Sequence, residues 1–410
     1  MTVKYNPDEF QNYLSDASNY QGTAEAVYLP ENEQELIKLI KRFDAEKTRI
    51  TISGNGTGLT GARVPDGGVV ISMEKMSRII ECNDVEKYLR VQPGMILKDL
   101  QDYVEEKKLF YPPDPTERNC FIGATVATNS SGACSFKYGP TRNYVIGIRI
   151  VLTSGETLSI ERGQIMASAF TFSFSTDQGE KYTLTIPQFK MPDTKNASGY
   201  YCKANMDLID LFIGSEGTLG IITELKLRLL PITESILSCV VFFSREEDAL
   251  NFIDEGRMIT KSETSIGREN ISARGFEFFN KSALDFLRPD YPAIPPNTCA
   301  VWFEQELTDR EDEITAAWLK LILKHHADAE TAWLAVNHKE REKFKDFRHA
   351  ISWKVNDYVA RRGLKKVGTD VAVPLESFRS FYQWMIHLME QNHMAYVVYG
   401  HFGNCHPHLN

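Results

Sequence analysis

Gly54-Asn-Gly-Thr-Gly-Leu-Thr-Gly61 follows directly on the β-rich run Thr48-Arg-Ile-Thr-Ile-Ser53, and this junction constrains the fold more than any other part of the chain. Glycine has no Cβ and reaches positive φ, so consecutive backbone N–H groups can converge on a phosphate without steric cost. Gly56-Thr-Gly58-Leu-Thr-Gly61 also satisfies the G-x-G-x-x-G pattern of dinucleotide-binding folds, which requires a helix to open on its third glycine. Ala62-Arg-Val-Pro65-Asp-Gly67-Gly68 instead places a proline and two glycines where the first helical turns belong, and Val69-Val-Ile-Ser-Met73 reads as a strand. The loop therefore joins strand to strand, and a diphosphate bound there is held by loop amides alone. A glycine-rich surface hairpin without ligand is the competing reading of this segment taken singly.

A chain of 410 residues, 42% of them hydrophobic, has the material for two or three domains with sizeable cores. Its net charge of -9, with both signs interspersed, gives a nucleic-acid partner no electrostatic support. The start, Met1-Thr-Val-Lys-Tyr-Asn-Pro-Asp-Glu, lacks the apolar core of a signal peptide, and no run of about 18 apolar residues is present to span a bilayer. A cytosolic location is the expectation. The cysteines, Cys82, Cys120, Cys134, Cys202, Cys239, Cys299 and Cys405, are scattered and form no C-x-x-C pair. They read as reduced thiols, not as a disulfide framework or an iron–sulfur cluster.

Along the chain, residues 31 to 45 predict an amphipathic helix led by acidic and trailed by basic residues, as the helix dipole favours. Leu97 to Lys108 predicts a second, after the turn signal Pro93-Gly94. Tyr111-Pro-Pro-Asp-Pro115 must be extended. Phe121-Ile-Gly-Ala-Thr-Val-Ala-Thr-Asn-Ser-Ser-Gly-Ala133 is built almost wholly of small residues. Such a run lets a backbone approach a large flat group, or else packs a helix tightly on a strand. Val145 to Leu152, Thr157 to Ile160 and Ile221 to Leu229 predict strands, the last opened by the glycine turn Gly214-Ser-Glu-Gly-Thr-Leu-Gly220. Residues 163 to 192 read as an insertion. Beyond Pro231 glycine thins out, and β-like runs (Leu237 to Phe243, Cys299 to Glu304) alternate with helical stretches (Glu246 to Ile259, Arg310 to His325, Arg341 to Arg361, Leu375 to Asn392). This predicts one domain over residues 1–230 and an α+β module over residues 231–410.

Taken in order, these segments resemble the FAD-linked dehydrogenases of the D-lactate, glycolate and D-2-hydroxyglutarate type, within the vanillyl-alcohol oxidase (PCMH-type) superfamily. The resemblance rests on the Gly54 loop, Pro112-Pro-Asp-Pro-Thr116, Ile122 to Gly132, Lys137-Tyr-Gly139 and Gly214 to Ile222, with Lys195-Asn-Ala-Ser-Gly-Tyr200 and Val367-Gly-Thr-Asp-Val-Ala-Val-Pro374 in support. It implies a two-part PCMH-type FAD-binding domain followed by an α+β substrate (cap) domain. It assigns flavin contacts to Gly54, Asn55, Gly56, Thr57, Gly58, Leu59 and Gly61 in the loop, and to Pro113, Asp114 and Thr116 in the extended segment. Further contacts fall on Ile122, Gly123, Ala127, Asn129, Gly132, Tyr138 and Gly139, and on Glu216, Gly217, Gly220, Ile221 and Ile222. The Gly54 loop carries neither His nor Cys, where relatives with covalent flavin often have a His, so a dissociable FAD is expected.

At the other end of the chain stands Tyr399-Gly-His401-Phe-Gly-Asn-Cys-His406-Pro-His408-Leu-Asn410, a histidine density typical of metal sites, with His406 and His408 on one side of a strand by the period of two. It resembles the family stretch G-H-x-G-D-G-N-x-H, which implies His401 and His408 as ligands of a divalent metal such as zinc or manganese. Asn404, Cys405 and His406 depart from that pattern. A polar pocket without metal is the competing reading. The family continues into a Glu-His-Gly segment that supplies a third ligand and a candidate base, and this sequence stops at Asn410 before any such segment, so against the family the C-terminal segment is missing, either because the sequence is a truncated piece or because this lineage has lost it.

Arg348 stands in a helical stretch where the family places an arginine that grips the substrate carboxylate, and Lys366 is a second candidate anchor. His406 is a candidate general base. The expected reaction is oxidation of a D-2-hydroxy acid, with quinone, electron-transfer flavoprotein or cytochrome as acceptor and with peripheral membrane or subunit association. A flavoenzyme for another alcohol or lactone, the alkyl-glycerone-phosphate synthase type, and a silent FAD-binding subunit are the alternatives.

Overall fold

Continuous β-branched runs and a capped amphipathic helix build the first elements. Ala26–Leu29 and Val69–Ser72 are buried at every position, as strands covered on both faces are. Helix Glu33–Glu46 begins where Asn32 Oδ1 accepts the Glu35 N–H at 3.0 Å. It buries Leu36, Leu39, Ile40 and Phe43 and ends on Lys47 in the left-handed conformation. The computed structural model describes residues 1–233, 235–262, 270–335, 337–364 and 368–410. Lys366 lies outside these.

The chain divides into two compact units, one of Met1–Ser131, Gly139–Pro192 and Ala197–Ile232, the other of Gly132–Tyr138, Asp193–Asn196 and Thr233–Asn410. The passage near Pro231 is therefore the last of several, because two short segments upstream of it pack with the second unit. Mixed α+β architecture holds in both.

In the first unit, a four-stranded sheet runs in the order Thr2–Lys4, Ala26–Leu29, Val69–Ser72, Ile50–Ser53. Ile50–Ser53 pairs parallel to Val69–Ser72, so the glycine loop is a crossover between neighbouring parallel strands, made without a helix. A five-stranded antiparallel sheet runs Ile79–Asn83, Tyr88–Val91, Ile221–Arg228, Val145–Val151, Thr157–Glu161. The small-residue run forms a short helix, Ile122–Ala127. The insertion folds as the hairpin Thr171–Ser175 with Lys181–Thr185.

In the second unit, a six-stranded antiparallel sheet runs Trp333–Ala335, Ile236–Phe243, Cys299–Glu306, Gly275–Phe279, Val398–His401, His406–Leu409. Its strands alternate between two cores. Cys239, Val241 and Phe243 join helices Glu246–Lys261, Glu311–Lys324 and Leu375–Gln391 on one face. Val240 and Phe242 join helices Lys281–Leu287 and His338–Arg361 on the other. The last two strands are a hairpin at the sheet edge, turned by Cys405 at φ 54°.

Candidate functional site

The first unit holds a cleft at the mouth of the glycine loop. Its apolar walls are Ile52, Met73, Pro93, Phe121, Ile150, Phe212, Ile221 and Ile222, and its backbone floor includes Gly54, Gly123, Ala127, Glu216, Gly217 and Gly220. Absence of side chains is a steric requirement here. A Cβ on Gly54 would lie 2.9 Å from Ala124 Cβ, and one on Gly220, at φ 159°, would lie 2.5 Å from Ile150 Cγ2. Apolar walls with exposed loop backbone suit a flat ring system carrying a diphosphate, so the residues present fit FAD.

Gly54, Gly123, Ala127, Glu216, Gly217, Gly220, Ile221 and Ile222, all expected from sequence, line the cleft. Asn55, Gly56, Thr57, Gly58, Leu59 and Gly61 form the loop beside it: Asn55 Nδ2 donates to Asn119 O at 2.6 Å, and the Gly61 N–H donates to Asp16 Oδ2 at 2.9 Å. Ile122 is fully buried in the short helix, and Asn129 Oδ1 accepts the Arg142 N–H at 3.0 Å. Pro113 O accepts from Gln101 at 3.0 Å, and neither it, Asp114 nor Thr116 is among the lining residues. Gly139, at φ 78°, turns the chain against Asn143. Gly132 and Tyr138 pack in the second unit, where the Tyr138 hydroxyl donates to Glu306.

Arg63 was not expected. It lines the cleft, and its guanidinium donates to Ser15 O at 2.9 Å, Ser53 Oγ at 3.1 Å, Gly54 O at 2.8 Å and Asn12 O. All four acceptors are neutral. The arginine thus carries a positive charge into the loop while tying the segment around Ser15 to it.

In the second unit, His401, His406 and His408 converge, with one ring nitrogen of each within 4.8 Å of the others. The hairpin register causes this, since His401 pairs with His406 across the ladder and His408 lies two residues on. His401 Nδ1 shares a 2.6 Å hydrogen bond with Glu277 Oε1, on the neighbouring Gly275–Phe279 strand. His408 Nδ1 lies 3.4 Å from Thr369 O, an acceptor that places the proton on Nδ1. His406 is engaged on both nitrogens, by Lys195 Nζ at 2.8 Å on Nδ1 and by Asp370 Oδ1 at 2.6 Å on Nε2.

Burial and the cations nearby set the charge states. Burial holds His401 well below its ordinary value, assisted by Lys195, His406 and Arg348, and it takes His408 down to about 3. Burial also lowers His406, against the bond to Asp370. All three imidazoles are neutral at pH 7. Glu277, 5% exposed, is pushed up to about 7 by burial, with Arg348 and His408 opposing. Asp370 is held below the usual carboxylate range chiefly by its bond to His406. Arg348, 6% exposed, donates to His349 Nε2 at 2.7 Å and stacks over Trp302 at 5.1 Å. Glu277 had one sequence signal, an acid inside the apolar strand Gly275-Phe-Glu-Phe-Phe279. Lys195 and Asp370 stood in segments singled out without a role.

The sheet topology and the glycine-walled cleft define a two-unit flavoprotein fold. Residues 24–161 match the family model for an FAD binding domain, and residues 258–410 match that for the C-terminal domain of FAD linked oxidases. With these two matches, the chain belongs to the FAD linked oxidases. It is 33% identical over 243 residues to a D-lactate dehydrogenase of Anaerostipes hadrus, a match covering 58% of this chain and 44% of that one. It is 32% identical over 246 residues to the glycolate oxidase subunit GlcD of Bacillus subtilis, covering 59% and 45%. The chain thus spans less than half of either relative in these matches. A D-2-hydroxyglutarate dehydrogenase of Stutzerimonas stutzeri is 25% identical over 399 residues, covering 94% of this chain and 74% of its own. In three dimensions an alkyldihydroxyacetonephosphate synthase is similar over 99% of this chain and 76% of its own, with a TM-score of 0.69 at 16% identity, which speaks for the fold alone.

Proposed function

We propose that the protein oxidises a D-2-hydroxy acid to the 2-oxo acid. The observations that carry this are, in one unit, the grouping of Arg348 with three neutral histidines and Glu277 and, in the other unit taken by itself, a glycine-walled cleft that fits a flavin. When bound, FAD supplies a two-electron acceptor. The amides and glycines of the Gly54 loop would hold its diphosphate, non-covalently, because the loop offers no His or Cys to bond it.

Arg348 presents a planar donor fork to the substrate carboxylate. His349 Nε2 accepts from it and the Trp302 ring lies beneath it, and both orient the guanidinium. His401 and His408 direct their Nδ1 atoms to Glu277 and Thr369, which leaves both Nε2 lone pairs for a divalent metal such as zinc or manganese, and Glu277 orients its ligand as such carboxylates do. A metal there would supply Lewis acidity toward the substrate hydroxyl. His406 is a poor base in this arrangement, since the Nδ1 lone pair already accepts from Lys195.

Among the described residues no helix is long and apolar enough to cross a membrane. A cytoplasmic site of action fits this, with electrons passed on to a quinone, an electron-transfer flavoprotein or a cytochrome. Association with a further subunit is the second reading, favoured by the likeness to a glycolate oxidase subunit.

The test is the visible spectrum under anaerobic conditions during titration with D- and L-2-hydroxy acids. Bleaching of the flavin band by a D-acid and not by its L-enantiomer is expected. A flavin band untouched by every acid would refute the reading. Acid precipitation should release all yellow colour into the supernatant.

A further inference from the structure

We propose that the segment of residues 12–18, clamped by Arg63, belongs to the cofactor site: it aims the backbone N–H groups of Asn55 and Thr57 and so builds the diphosphate cradle before the flavin arrives. This rests on the FAD cleft described above and names what shapes its loop. The family model for an FAD binding domain begins at residue 24, so the segment lies outside it.

The loop's carbonyls decide the direction of its amides. In a planar trans peptide the C=O and the N–H of the following residue point opposite ways, and no peptide bond is cis among the described residues. Gly54 O accepts from Arg63 Nη1 at 2.8 Å and from Ser53 Oγ at 3.0 Å, so the Asn55 N–H points away from both. Gly56 O accepts from the Ala17 N–H at 3.1 Å, so the Thr57 N–H points away from the segment. Neither N–H meets a protein acceptor among the described residues. Two such amides, two residues apart and with their carbonyls held from behind, form a donor pair of the kind that takes an oxyanion. Asn55, Gly58, Leu59 and Thr60 are exposed, which leaves the loop open to one.

The segment behind the loop is itself held. Arg63 Nε donates to Ser15 O at 2.9 Å and Nη2 donates to Asn12 O, while Nη1 also reaches Ser53 Oγ at 3.1 Å. Asp16, the carboxylate whose charge acts on Arg63, takes the Gly61 N–H on Oδ2 and the Ser18 N–H on Oδ1, each at 2.9 Å. Further on, the Gly22 N–H closes on Leu14 O at 2.7 Å and the Thr23 N–H on Pro65 O at 3.0 Å. Only a planar fork reaches acceptors on both the segment and the loop at once; the ammonium of a lysine is a compact point charge. Amides aimed beforehand need no ordering when the ligand binds, which raises affinity.

Titration of the flavin-free protein with FAD, followed by flavin fluorescence, tests this without turnover. Arg63→Lys keeps the charge and loses the fork, so it should weaken FAD roughly tenfold or more, as should Arg63→Met. Ala17→Pro deletes the N–H that holds Gly56 O and should weaken FAD to a similar extent. At saturating FAD the phosphorus resonances of the bound diphosphate should move in each variant, whereas a general loss of stability would leave them at their wild-type positions. Should Arg63→Met not fold, the other two variants decide. FAD affinity within about twofold of wild type in Arg63→Lys or in Ala17→Pro would overturn the proposal. So would weakened binding with unmoved phosphorus resonances. A wild type that binds no FAD would instead remove the flavin cleft itself.

Discussion

Gly56 and Arg63 are matched at the level of single atoms. At φ 75°, a Cβ on Gly56 would meet Arg63 Nη2 at 2.3 Å, whereas one on Gly58 finds only Asp16 Oδ2 at 3.6 Å. Gly56→Ala should therefore destabilise the flavin-free protein by about 1–3 kcal/mol in urea unfolding, and Gly58→Ala should cost far less. Equal effects would show that the arginine does not define the loop. A second residue-scale outcome concerns the thiols. Cys82 is half-buried while the other six cysteines are buried, and burial pushes Cys120 and Cys239 up to about 12. Alkylation of the native protein at pH 8 should modify Cys82 first, read by peptide mass mapping. At this scale the sequence announced glycines and histidines well, because their chemistry is local. It announced Arg63, Glu277 and Lys195 poorly, because a guanidinium or carboxylate acquires its role from partners that stand many residues away: Arg63 from Asn12 and Ser15, Glu277 from His401.

The strand Cys299–Glu306 ends in an ionic cluster that fastens one element to another. Glu306 meets Lys137 and the Tyr138 hydroxyl from the helix Ser135–Tyr138, and Arg274 at 3.4 Å. Burial pushes the Glu306 carboxyl up, but Arg274 and Lys137 outweigh it and leave it below its ordinary value. A depressed carboxylate contributes stability that is present above its unfolded pKa and lost as pH falls through the folded one. Glu306→Gln should cost about 1–3 kcal/mol at pH 7, since it takes one carboxylate from Lys137 and from the buried Arg274, which keeps Glu304 at 3.3 Å, and the difference from wild type should shrink below pH about 4. Unfolding curves at pH 7 and at about pH 3 check both the size and the sign. Among elements, the amphipathic helices were legible in the sequence to within a few residues. Leu97 to Lys108 was expected and Leu97–Glu105 is observed, since apolar spacing marks a helix better than it marks its last turn. The small-residue run gave no such period, and its short helix is fixed by the close approach of Gly123 to Pro93, where a Cβ would come within 2.4 Å.

For the whole molecule, a ligand that binds one unit should leave its mark there. With FAD at 100 times its dissociation constant the folded first unit gains about 2.7 kcal/mol by mass action. Hydrogen exchange with and without FAD should show protection concentrated in peptides containing the cleft residues Ile52 to Arg63, Phe121 to Thr128 and Phe212 to Ile222. Uniform protection over the chain would contradict the cleft as the binding site. The order of the motifs along the chain made this cleft legible in advance; the grouping of segments in space was not, because composition shifts once, near Pro231, while the chain enters the second unit earlier, at Gly132 and again at Asp193. Those early visits have a genetic consequence. A gene split or fused at codon 231 would send Phe136, part of the second unit's core, and Lys195, partner of His406, away with the wrong half. The two units cannot be shuffled between proteins by one crossover, and lineages that inherit one of them must inherit its distant fragments too.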